Sequence, residues 1–163
     1  MFWRSQKDRA AEALHRGIKA ILIGGFFHYE HSQQFALNKQ ASAWLYTEAI
    51  AHQVYVLTAI FHNTAGKTYE WATRDFMMKA MSEAMVNFEL QQGTVPGGIS
   101  SFAFRRCAEI DALTPQERTT GKQFEQSAAR IAELDPSADT RAIAAKFDEV
   151  TSKFFECALP MFR

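Results

Sequence analysis

The chain has 163 residues, 47% of them hydrophobic and 22% charged, with 18 basic and 18 acidic side chains. That suits one soluble globular domain with a real core, and a net charge of zero gives no overall electrostatic footprint for nucleic acid. Cys107 and Cys157 are far apart and form no CxxC, so neither a secreted disulfide framework nor a zinc knuckle is supported.

The first predicted helix covers about 3–23 and stops at Gly24-Gly25. Ala10, Ala13, Gly17, Ala20 and Gly24 share one face. Asp8, Glu12, His15 and Lys19 occupy the other, so the helix is amphipathic. Small residues at this spacing let two helix backbones approach closely, within the chain or across a dimer. Basic residues exceed acidic ones slightly in this segment, as a solvated helix allows. The apolar run "IKAILIGGFF" (18–27) is too short to cross a bilayer and contains Lys19. Mostly polar residues precede it and no A-x-A pattern follows, so a signal peptide is not expected.

Residues 28–63 contain no Gly or Pro. As one straight helix they would extend about 50 Å, against a radius of gyration near 15 Å for a domain of this length. A break near "LNKQ" (37–40) is therefore expected. Beyond it, "TEAIAHQVYVLTAIFHN" (47–63) places Glu48, His52, Tyr55, Ala59 and His62 in one arc of about 80°, with Trp44 at the edge. The opposite side carries Tyr46, Ile50, Leu57 and Phe61. Glu48 is the only formal charge between Gln40 and Lys67, which predicts a central helix covered on most of its circumference. Glu48 and His52, at i and i+4, could form a general acid/base pair, a metal ligand with its carboxylate, or a structural pair. Trp44, Glu48, His52, Tyr55 and His62 are thus candidate ligand-binding residues. The competing reading is a core whose polar groups satisfy one another.

After Gly66 a third helix is predicted over about 68–92. There "MMKAMSEAMVNF" gathers Met77, Met78, Met81, Met85 and Phe88. Flexible, polarizable methionines suit an adaptable partner surface as well as a core. Thioethers can bind copper(I), but no Cys or His lies between residues 63 and 106, and no metal site is expected. "GTVPGGISS" (93–101) reads as a loop, followed by a helix over about 101–112. "TPQE" (114–117) is a strong helix start, with Thr114 as N-cap, Pro115 at N1 and Glu117 closing a capping box. That fifth helix should end near "LDPSAD". The last helix, about 138–159, carries a core stripe of Ile143, Phe147, Val150, Phe154 and Ala158.

Several catalytic patterns fail. "GKT" (66–68) has Phe61 where a phosphate loop needs Gly, and no strand precedes it. "EALH" (12–15) matches the Glu-x-x-His of di-iron bundles, but no second copy exists. All five histidines precede residue 63, so a three-histidine site fed by the C-terminal helices is excluded. A nucleophile elbow, HExxH and a glycine-rich dinucleotide motif are absent.

These features predict an all-α, single-domain helical bundle of about five to six helices spanning 1–163. The expected function is a cytoplasmic protein-interaction or regulatory module without a cofactor. It would form a homodimer or bind another protein. The candidate contact surfaces are the face of Met77, Met78, Met81, Met85 and Phe88 and the small-residue face of Ala13 and Gly17. No nucleic-acid partner and no stable membrane insertion are expected. The alternative is a helical ligand- or cofactor-binding protein, or an enzyme, whose pocket is lined by Glu48, His52, Tyr55 and His62.

Overall fold

The structure, a computed structural model, describes residue 12 and residues 16–21, 34–65 and 98–162. Among them every regular element is helical and no strand occurs. Residues 16–21 are helical. The helices that follow are α1 (Lys39–Ala65), α2 (Gly98–Asp111), the short α3 (Pro115–Thr119), α4 (Lys122–Leu134) and α5 (Thr140–Ala158). A 3-10 turn, Leu159–Phe162, closes the described chain. The all-α bundle is as the sequence predicts. No described helix is long and apolar enough to cross a membrane.

The expected break near residues 37–40 is present. Residues 34–36 form a turn, and Ala36 adopts a left-handed backbone, φ 48°. Asn38 then starts α1. Its Oδ1 accepts from the Ala41 N–H at 2.9 Å, satisfying one of the free donors at the helix N-terminus. The Asn38 backbone N–H donates to Asp135 Oδ2 at 2.7 Å, and its Nδ2 donates to the Leu134 carbonyl at 2.8 Å. The start of α1 is thereby pinned to the end of α4.

α1 is the central helix. α2, α4 and α5 all pack on it, and α4 and α5 pack on each other. Two apolar clusters share α1. One joins Ala41, Leu45 and Ala49 to Phe124 and Ile131 of α4 and to Phe147 of α5. The other joins Ile50, Val54 and Leu57 to Ile18 and Ile21, to Phe102 of α2 and to Phe154 of α5. The α5 stripe is core as expected: Ile143, Phe147, Val150, Phe154 and Ala158 are all buried.

Gly17 is buried against α1. A Cβ at this position would lie 2.6 Å from Leu57 Cδ1, so Leu57 would have to shift to admit one. The small-residue face therefore packs within the chain at Gly17, and this glycine is covered by Leu57 instead of being open to a partner. Ala13 and the face formed by Met77, Met78, Met81, Met85 and Phe88 lie outside the described residues.

The capping box at Thr114 forms as the sequence predicts. The Thr114 hydroxyl accepts from the Glu117 N–H, and Glu117 Oε2 accepts from the Thr114 N–H at 2.9 Å. The helix it opens is shorter than expected. α3 ends at Thr119, and Gly121 takes φ 81° before α4 begins. A left-handed residue cannot continue an α-helix, so one expected helix becomes two.

Candidate functional site

The polar stripe of α1 meets its partners from α2 and α4. Glu48 and His52 are buried, and so are Arg106 of α2 and Ser127 of α4. Each lies in the middle of an otherwise apolar helix face. Arg106 sits among Phe102, Ala103 and Ile110, one turn to either side, and Ser127 among Phe124 and Ile131.

Glu48 Oε2 accepts from Arg106 Nε at 3.0 Å and from the Ser127 hydroxyl at 2.6 Å. Its other oxygen, Oε1, accepts from Arg130 Nη1 at 3.1 Å. Arg106 Nη1 and Arg130 Nη2 both donate to Glu109 Oε2, at 2.5 and 2.6 Å. Two carboxylates and two guanidiniums thus alternate around a closed ring. Each acid is bonded to both bases. The formal charges cancel, as burial of ionised groups demands. Arg106 Nη2 donates further to Ser127 Oγ at 3.0 Å and to the Gln123 carbonyl at 3.3 Å. The side chains of Glu48 and Arg106 are 0% exposed, whereas Arg130 and Glu109 at the rim are 34% and 37% exposed.

His52 does not pair with Glu48 directly. Its Nε2 lies 2.9 Å from Ser127 Oγ. The one hydroxyl proton of Ser127 goes to Glu48, so Nε2 must be the donor in this contact. The imidazole is then neutral and protonated at Nε2. Burial, with the positive charges of Arg106 and Arg130 behind it, lowers its pKa from 6.5 to about 3. The ring also packs on Phe124 and Phe147, with centroids 4.8 and 5.3 Å away.

A serine, a histidine and a carboxylate within hydrogen-bond reach invite comparison with a nucleophilic triad. The roles are arranged otherwise. The carboxylate takes the serine proton itself, the histidine donates where a general base would accept, and the serine oxygen is buried under Arg106. Around Glu109, burial alone would raise the carboxyl pKa. The hydrogen bonds from Arg130 and Arg106 outweigh it and hold Glu109 below the ordinary glutamate range.

The other candidates on α1 lie elsewhere. Tyr55 is half-buried in the second apolar cluster. Its pKa is raised by burial and then by Asp111, to which it is hydrogen-bonded. Trp44 stands edge-on to Phe102, ring centroids 5.0 Å apart. His62 falls on α1, and its side chain lies outside the described residues. The structure therefore brings together Glu48 and His52, and it gathers them with Arg106, Glu109, Ser127 and Arg130, which the sequence reading did not single out. Among the described residues no group of three or more His, Cys, Asp or Glu is placed to hold a metal ion. The Cys107 thiol is pushed up to about 12, chiefly by burial and then by Asp111, which leaves it protonated and unreactive.

Comparison with protein-family models, with curated proteins and with solved structures returned no match.

Proposed function

We propose that the chain is a small helical interaction module that associates with itself or with another protein through apolar helix faces. The observation that carries this reading is the closed bonding of the buried polar set. Glu48, Arg106, Ser127 and His52 bond to one another and to Glu109, Gln123 and Arg130, and this bonding ties α1, α2 and α4 together. On this reading the contact is made by apolar surface. Phe155, on the outer side of α5, is 45% exposed and is the one large apolar side chain so exposed among the described residues. The methionine-rich sequence 77–88 is the second candidate surface. Cytoplasmic placement belongs to the same proposal and is supported by two cysteines that are not joined to each other.

Native mass spectrometry of gently purified protein, repeated on a Met81→Glu/Met85→Glu variant, tests the proposal. Wild type should run as a dimer or carry a second protein, and the variant should lose that association with its helical circular dichroism intact. A bare wild-type monomer, or unchanged association in the variant, would sink it. Extra small-molecule mass that disappears on denaturation and on His52→Ala would instead favour a ligand pocket on α1.

A further inference from the structure

The rim of the ionic ring has the construction of an anion site that is already filled. Arg106 Nη1 and Arg130 Nη2 converge from different helices on a single point, and Glu109 Oε2 sits there. Arg106 is fully buried and held from behind by Glu48, Ser127 and the Gln123 carbonyl, so its outward N–H is fixed in direction. Arg130 is held likewise through Glu48. Without Glu109, Arg106 keeps three partners and Arg130 keeps its bond to Glu48. Glu109 itself is the most exposed member of the ring, one turn from Arg106 on the same helix.

The charges decide what such a point would take. With Glu109 in place, Glu48 and Glu109 balance Arg106 and Arg130. With Glu109 swung into solvent, one positive charge is left over at a partly buried position, and it needs an anion. Two convergent guanidinium N–H groups match an oxygen of a carboxylate or phosphate, the ligands arginine recognises best. We propose that Arg106 and Arg130 form an oxyanion-binding site at the junction of α2 and α4, which Glu109 occupies as an internal ligand and which a small external carboxylate or phosphate can take in its place. Glu109 competes from a tether, with an effective concentration in the millimolar range or above, so the wild-type site responds only to high anion concentrations.

The test is titration calorimetry of wild type, Glu109→Ala and Glu109→Ala/Arg130→Ala with inorganic phosphate and, separately, acetate. Ionic strength is held constant with sodium chloride. Glu109→Ala should bind at least one of the two oxyanions saturably and about tenfold or more tighter than wild type. The double variant should lose that binding. Phosphate winning over acetate assigns the site to phosphate groups, and the reverse assigns it to carboxylates. The proposal is overturned if Glu109→Ala shows no saturable binding of either ion, or if the double variant binds as well as the single one. Should Glu109→Ala fail to fold, Glu109→Gln keeps the side-chain shape, removes the charge and is judged by the same outcomes.

Discussion

α1 and α5 each bury a stripe of side chains, by opposite means. The α5 stripe of Ile143, Phe147, Val150, Phe154 and Ala158 is apolar throughout and reads directly as core. The α1 stripe buries a carboxylate and an imidazole just as deeply, against an arginine and a serine from two other helices. Apolar packing is non-directional, so each lost methylene costs a graded amount. A buried ionic ring is directional and neutral only when complete, so losing one member leaves an uncompensated charge. Burial alone therefore does not tell a core from a site.

The largest effect should come from breaking the ring at its buried base. Arg106→Ala leaves Glu48 buried without its main partner and should cost about 3–5 kcal/mol in urea unfolding. A cost below about 1 kcal/mol would mean that the ring is not closed in solution.

Acid should separate the two stripes next. His52 stays neutral in the folded protein down to about pH 3, while in the unfolded chain it protonates near 6.5. As pH falls from 6.5 toward 3, the unfolded chain gains a proton that the folded protein does not bind, and stability drops. Above pH 6.5 this contribution vanishes. At pH 5 the loss is about 2 kcal/mol, measured as the difference between wild type and His52→Gln across a series of unfolding curves. Parallel pH profiles for the two proteins would show that His52 titrates normally in the fold.

Gly17→Ala probes the close approach of residues 16–21 to α1. A Cβ there meets the Leu57 side chain, and overpacking of this kind costs about 1–3 kcal/mol. A thermal melt at or above that of wild type would show that Leu57 can move aside. The smallest effect belongs to the α5 stripe. Ile143→Val should cost about 0.5–1.5 kcal/mol and leave the pH profile unchanged.

The sequence made much of this architecture legible, because the signals were local. Hydrophobic period marked α5, and the single charge between Gln40 and Lys67 marked α1 as central. Thr114, Pro115 and Glu117 announced their helix start, which forms. Gly121 within an otherwise helical stretch carried the signal for the split between α3 and α4, and it was the φ of that residue that decided it. The partners of Glu48 were harder. Arg106 and Ser127 each interrupt an apolar helix face, and a charge at the centre of such a face is the trace a buried ion pair leaves in a sequence. That trace does not say which helix supplies the counterion, since residues 48, 106 and 127 meet only through tertiary packing.

The most direct measurement of the account is a double-mutant cycle on Glu48→Leu and Arg106→Met, followed by urea unfolding. A closed structural clamp predicts that each single change costs about 3–5 kcal/mol and that the double variant recovers most of it, because Glu109 and Arg130 still neutralise each other at the rim. Additive losses, with the double variant as unstable as the two singles combined, would contradict the clamp and return Glu48 and Arg106 to separate roles.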